Sequence, residues 1–217
     1  MTTVFSDFAT CPVCGESFQF SAMGSTSTFG SMDLDTRPPE MKRSSMCYWL
    51  IECPECGYVF AGMRSPALVD RSFVDSDRYR ECDGYSFENN LSKPFYRHYL
   101  IMKEAGEQES ACIALLHTVW TCDDGNDSNA KTLRELLVHE METLLDSGDN
   151  ETLEIMKADV LRRSAQFDKL IDEYEGKQYD NELLNNIVKF QLYRAKEHDT
   201  GCYTVQHAID YCTGSQE

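Results

Sequence analysis

Four of the ten cysteines in this 217-residue chain are spaced for one kind of chemistry. Cys11-Pro12-Val13-Cys14-Gly15 and Cys53-Pro54-Glu55-Cys56-Gly57 write the phrase C-P-x-C-G twice. One C-x-x-C pair is weak evidence, since redox pairs and chance both produce it. Two copies with Pro and Gly in the same slots describe two metal knuckles that close one tetrahedral thiolate site. Two intervening residues let both sulfurs of a turn reach one ion. The Gly that follows accepts positive φ and leaves room for backbone N–H groups to point at the thiolates. The expected ligands are Cys11, Cys14, Cys53 and Cys56, and the expected metal is Zn2+. Iron is the alternative, because rubredoxin-like sites are also built from four sulfurs. No histidine precedes His98, which excludes a Cys2His2 site in this part of the chain. Four thiolates complete the coordination shell, and a complete shell makes a zinc structural, since catalytic zinc keeps one position open.

The other reactive side chains do not form motifs. Cys47 lies six residues before Cys53 and reads as a substitute ligand or as a half-buried strand residue. Cys82, Cys112, Cys122, Cys202 and Cys212 are scattered, and Cys112 falls on an apolar helical stripe where free thiols are common. His139-Glu140 begins the zinc-protease pattern H-E-x-x-H, but position 143 is Thr. His98, His117 and His207 have no neighbouring nucleophile or carboxylate in a recognisable motif. Gly24 to Gly30 has the Ser and Thr of a phosphate loop but lacks its lysine. No catalytic or cofactor-binding residue is assigned. Phe95, Tyr96, Tyr99 and Trp120 sit at helical spacing and are expected in a core, with a peptide groove as the alternative.

These residues need elements to position them. Phe18 and Phe20 alternate after the first knuckle. Tyr48-Trp49-Leu50-Ile51 runs into the second, and Tyr58-Val59-Phe60-Ala61 runs out of it. Strand, knuckle, strand is how a zinc ribbon is built, the metal replacing a core that few residues cannot supply. The insertion between the knuckles is longer than a ribbon needs. Ser21 to Ser31 is rich in Ser, Thr and Gly and is expected to be mobile, and Pro38-Pro39 excludes regular helix from Asp33 to Arg43. Residues 67–92 mix acids, arginines and aromatics without a period, which predicts irregular structure or a short helix.

From Ser92 the texture is helical. Glycines at 106, 125, 148, 176 and 201 punctuate it where helix C-termini like to end. Between them run the stripes Cys112–Leu115–Leu116–Val119, Leu133–Leu136–Leu137–Met141–Leu144–Leu145, Phe167–Leu170–Ile171–Tyr174 and Leu184–Ile187–Val188–Gln191–Leu192–Ala195 at helical spacing. Asn150 and Asp180 stand where N-caps belong. Short connections between amphipathic helices imply antiparallel hairpins side by side. The expected fold class is therefore α+β, mainly α. A zinc-ribbon module spans 1–66, a transitional segment 67–92 and a helical domain 93–217.

Two resemblances add to this reading. The segment Ala158 to Tyr174 resembles a tetratricopeptide repeat. Leu161 falls at its large packing position, Ala165 at the turn, and Phe167, Leu170 and Tyr174 on the second helix. Leu170 is bulkier than the usual Ala. Most of the chain resembles a bacterial family called domain of unknown function 2225, which has an N-terminal CPxC, a strand entering CPxCG, then helices like those of tetratricopeptide repeats. Trp120-Thr121-Cys122-Asp123-Asp124 and Lys157-Ala158-Asp159-Val160-Leu161-Arg162-Arg163 resemble it best among the helical stretches. The family carries no established activity, so this resemblance implies an architecture and a metal but no reaction.

Composition narrows the function classes. Twenty basic residues against 37 acidic give a net charge of −17. Such a chain repels phosphates unless a local basic patch rescues it, and the adjacent basic pairs, Lys42-Arg43 and Arg162-Arg163, form no stripe. No run of about 18 apolar residues exists, so no membrane span is expected. The start, Met1 to Asp7, lacks the basic and apolar regions of a signal peptide. Reduced thiols in a cytoplasm are the expectation. Stacked helical hairpins favour a protein or peptide partner on the helical domain and a non-catalytic role. An enzyme with a site between ribbon and helices is the first alternative, and a nucleic-acid-binding ribbon, disfavoured by the charge, the second.

Overall fold

Half of the chain is helical, and the strands form two two-stranded antiparallel sheets. The computed structural model describes residues 1–214. By packing, the chain divides into two compact units. One is Met1–Thr28 with Glu40–Leu133, and the other is Phe29–Pro39 with the chain from Arg134 on. These bounds differ from the segments 1–66, 67–92 and 93–217 drawn from sequence texture. The first two long helices pack in the unit that holds the knuckles, and part of the inter-knuckle insertion packs with the later helices.

In the first unit, β1 (Thr3–Thr10) and β2 (Ser17–Ser25) pair antiparallel, with Ala9 opposite Phe18 and Phe5 opposite Ala22. Side chains alternate across a strand, so Phe5, Ala9, Phe18, Phe20 and Ala22 share one face. A second, shorter hairpin joins β3 (Ile51–Glu52) to β4 (Val59–Phe60). Each C-P-x-C-G phrase is the loop of one hairpin.

The extents correct two expectations. Ser21 to Ser25, expected to be mobile, are the second half of β2. The Ser25 side chain serves as a cross-strand partner, its Oγ lying 2.8 Å from Thr3 Oγ1. Tyr48 and Trp49, expected in a strand, are not in one: Arg43–Tyr48 is a 3-10 helix. Local bonds capture that segment, since Trp49 donates its ring N–H to Ser45 Oγ at 3.1 Å and its backbone N–H to the Met46 carbonyl at 3.0 Å. Cys47 consequently sits exposed on this turn and is not a half-buried strand residue.

The transitional segment holds a single helical turn, α1 (Arg71–Val74), capped by Asp70, and a 3-10 helix over Tyr79–Gly84. Helix α2 (Ser92–Glu104) starts where the sequence texture changes, and packs as a hairpin on α3 (Gln108–Asp124). Helix α3 is apolar nearly all round, the signature of a buried helix. Cys112, Leu115, Leu116 and Val119 on it are almost completely inaccessible. Its Thr118 hydroxyl avoids an unpaired burial by donating to the Ala114 carbonyl at 2.9 Å. Phe95, Tyr96, Tyr99 and Trp120 are all buried, so they are core rather than groove.

Helix α4 (Asn129–Leu145) follows, turning Leu133, Leu137 and Met141 fully inward. The second unit adds α5 (Glu151–Arg163), α6 (Phe167–Tyr174), α7 (Glu182–Lys196) and α8 (Val205–Thr213). Asn150 caps α5 as expected, accepting the Leu153 N–H at 3.0 Å. The cap of α7 is Asn181, one residue beyond Asp180, and it accepts the Leu183 N–H at 2.9 Å. Helices α5 and α6 form a hairpin whose turn places Ala165 at φ +62°, with Leu161 and Leu170 inaccessible and Tyr174 nearly so.

A buried charge network lies in this second unit. Arg162, with no exposed surface, donates to Asp159 Oδ1 at 2.8 Å, to the Asp199 carbonyl at 2.7 Å and to Gln191 Oε1. Arg163 reaches Asp35 Oδ2 at 3.1 Å. The stretch Phe29–Pro39 is held by this network and by backbone bonds: Leu34 N–H donates to the Tyr203 carbonyl and Val205 N–H to the Met32 carbonyl, both at 2.9 Å. It contains no helix, in line with Pro38-Pro39.

Candidate metal centre

The two knuckles are built alike, bond for bond. In the first, Cys11 N–H donates to the Glu16 carbonyl at 2.7 Å and Gly15 N–H to the Cys11 carbonyl at 2.9 Å. In the second, Cys53 N–H donates to the Tyr58 carbonyl and Gly57 N–H to the Cys53 carbonyl, both at 2.9 Å. Gly15 at φ +80° and Gly57 at φ +72° occupy the left-handed region that a side chain disfavours. The motif's glycine is thus required by the turn itself.

The four sulfurs meet. The Sγ atoms of Cys11, Cys14, Cys53 and Cys56 all lie within 4.8 Å of one another. Cys11 Sγ is 3.7 Å from Cys56 Sγ, and Cys14 Sγ is 3.6 Å from Cys53 Sγ. A tetrahedral zinc with Zn–S bonds of about 2.3 Å requires edges of about 3.8 Å. These separations fit such an ion and are far longer than the roughly 2.05 Å of a disulfide. Each close pair takes one sulfur from each knuckle, so an ion here would cross-link the two hairpins. Among the described residues no other group of His, Cys, Asp or Glu brings donor atoms together in this way.

Backbone N–H groups surround the sulfurs. The Glu16 N–H holds the Cys14 thiol below its ordinary range. Burial pushes Cys53 and Cys56 up, opposed by the N–H groups of Cys56 and Glu55 at Cys53 and of Tyr58 at Cys56. Burying a thiolate costs energy unless a cation compensates it, and a bound metal is that compensation.

The surroundings of the two knuckles differ. Behind the second, the Tyr79 hydroxyl donates to the Gly57 carbonyl at 2.7 Å, and Arg97 of α2 lies 5.5 Å over the Tyr79 ring while it pairs with Glu52 at 2.5 Å. Arg97 also closes the space over Gly57, where an added Cβ would stand 3.1 Å from Nη1. Tyr58, fully buried, accepts the Leu68 N–H at 3.2 Å. Gly15 has no neighbour within 4 Å of the corresponding position. Tyr79 and Arg97 had no sequence signal, because they lie 22 and 45 positions from Gly57 and Glu52, which they hold.

The family model described as "Uncharacterized protein conserved in bacteria (DUF2225)" matches residues 5–191. The chain belongs to this family. No curated protein and no solved structure matches it. The family match includes both knuckles, Tyr79, Arg97 and the Arg162–Asp159 pair, and it ends within α7. The DUF2225 identity accordingly covers the candidate centre but assigns it no reaction.

The remaining sequence candidates are dispersed. Cys82, Cys112 and Cys122 are buried thiols, and Cys82 Sγ donates to the Tyr79 carbonyl at 3.4 Å. Cys202 Sγ is 3.4 Å from Asp33 Oδ2, and Cys212 Sγ is 3.7 Å from the Asn186 carbonyl on α7. His207 serves as a helix cap with Thr204. His117 packs against Trp49, Phe95 and Trp120. His98 is held down at about 4 by burial, and its Nε2 has no hydrogen-bond partner. Among the described residues no helix is long and apolar enough to cross a membrane.

Proposed function

We propose that Cys11, Cys14, Cys53 and Cys56 bind one zinc ion, that this zinc is structural, and that the protein is a non-catalytic interaction module of the bacterial cytoplasm. The observation that carries the reading is the pair of sulfur separations, 3.7 and 3.6 Å, taken across the two knuckles. Four sulfurs leave a tetrahedral ion no open position for water or substrate. The ion's work is then mechanical: it staples the β1–β2 hairpin to the β3–β4 hairpin in a ribbon too small to have its own core. In this reading, the ribbon lies within residues 1–66, and the α5–α6 hairpin is a divergent tetratricopeptide-like unit in a helical domain that meets a protein or peptide.

Three of the five histidines have places that suit a non-catalytic role. His117 is a packing residue, His207 a cap, and His98 is buried without a nucleophile bonded to it. Capture of partners by the purified zinc-loaded chain, run beside a broad metabolite-turnover screen, tests the reading. A specific protein partner without turnover is expected. Turnover of a metabolite by protein that recovers no partner would reverse it.

A further inference from the structure

We propose that the cleft formed by the α6–α7 connection, α7 and α8 docks an extended acidic segment of a protein partner. This rests on the interaction-module reading and names the surface and the chemistry of the partner.

The cleft encloses about 490 Å³ within the second unit. Three lysines line it, Lys177, Lys189 and Lys196, and no acidic residue does. Two of them are paired, Lys177 with Glu154 and Lys196 with Glu175, so among the described residues Lys189 is the unpaired cation of this lining in a chain of net charge −17. A cation in an anionic surface attracts anionic segments while the surrounding acids repel poorly placed ones. Lys189 and Lys196 are seven residues apart on one helix, about 10 Å along its axis, and the helical part of the lining from 185 to 196 spans about 16 Å. An extended peptide rises about 3.3 Å per residue, so about five residues fill that length.

Two features show how carboxylates would be received. Lys196 holds Glu175 at 2.8 Å and Lys177 holds Glu154, so each ammonium already donates to a carboxylate in this geometry. The Lys196–Glu175 pair is more than half exposed at both ends and therefore contributes little on its own, so an incoming carboxylate exchanges with it at small cost. Lys189 and the Asn186 amide have no side-chain partner among the described residues. Between Lys189 and Lys196 on the same face of α7 stands Tyr193, which stacks on Tyr211 with ring centroids 4.7 Å apart, and the two rings remain 38% and 39% exposed. Exposed tyrosines are enriched at protein-recognition surfaces.

The test uses the full zinc-loaded chain and a fluorescently labelled, capped hexapeptide of Glu and Leu, with a Gln and Leu hexapeptide as control. Anisotropy titration should show saturable binding of the acidic peptide, weakened by added salt. Lys189→Glu with Lys196→Glu should weaken it at least about tenfold, and the milder Lys189→Gln with Lys196→Gln should weaken it less. Unchanged circular dichroism certifies the folding of both variants. The assignment is overturned if the Gln control binds equally well, or if charge reversal changes nothing. It is also overturned if a single-stranded oligonucleotide of equal charge binds as tightly. A partner cross-linked to residues outside the cleft would remove this assignment but leave the interaction-module reading intact, whereas turnover without any partner would remove both.

Discussion

The two C-P-x-C-G knuckles have the same spelling and the same internal hydrogen bonds, yet they are held by different means. The second is embedded: Tyr58 is buried beneath it, Tyr79 and Arg97 brace its glycine, and β4 packs on α2. The first sits at the end of a hairpin with Val4 45%, Phe5 49% and Phe8 69% exposed, and nothing presses on Gly15. A two-stranded hairpin is marginal in water on its own. The lesson is that the proposed metal serves the two sides unequally. It anchors the first hairpin, while packing already anchors the second.

The largest expected effect follows directly. Structural zinc is worth about 10–16 kcal/mol in comparable small modules. Stripping the metal should release β1–β2, with amide exchange over Thr3–Thr10 and Ser17–Ser25 approaching that of unfolded chain, while Ile51–Phe60 keeps measurable protection. Equal loss of protection in both hairpins would erase the distinction. Cys11→Ser and Cys53→Ser should both abolish metal binding, and Cys53→Ser should also lower the thermal stability of the metal-free protein, because Cys53 is part of the packed side.

Next in size are the glycines. Gly15→Ala should cost about 1–2 kcal/mol, the expense of a side chain in a left-handed backbone. Gly57→Ala should cost more, since its Cβ would stand 3.1 Å from Arg97 Nη1 and disturb the Arg97–Glu52 pair. Denaturant midpoints on the metal-loaded protein would show this, and equal costs would contradict the embedding argument. Smaller still is Tyr79→Phe, which removes one hydrogen bond to the Gly57 carbonyl and should cost about 0.5–1.5 kcal/mol.

A pH effect separates the sides further. Burial holds His98 of α2 at about 4, below the ordinary value near 6.5. Between those values the unfolded chain binds a proton that the folded chain refuses. Stability from neutral His98 is therefore complete above pH 6.5 and falls as pH drops from 6.5 towards 4. His98→Phe should flatten that slope for α2 amides. It should leave unchanged the acid release of metal, which follows from protons competing for the thiolates.

What could be read from the sequence was local. Cys11, Cys14, Cys53 and Cys56 announce themselves because a knuckle is a contiguous phrase, and α2 begins at Ser92 because helical periodicity begins there. What escaped was set by contacts distant in sequence. Ser21–Ser25 read as a mobile tract until β1 paired with it. Asp33 to Arg43 reads only as a stretch without regular helix, and nothing in it marks Asp35 as the partner of Arg163, 128 residues away. Cys47 was misplaced because Ser45, Met46 and Trp49 satisfy one another locally and bend the approach to the second knuckle. The supports that distinguish the knuckles, Tyr79 and Arg97, lacked any pattern of their own.

The most direct test of the central claim is elemental analysis of the purified full chain, wild type beside Cys11→Ser and Cys56→Ser. The account predicts one zinc per wild-type chain and loss of that zinc in both variants. Less than half an equivalent of any metal in the wild type, or one equivalent retained in both variants, would contradict it.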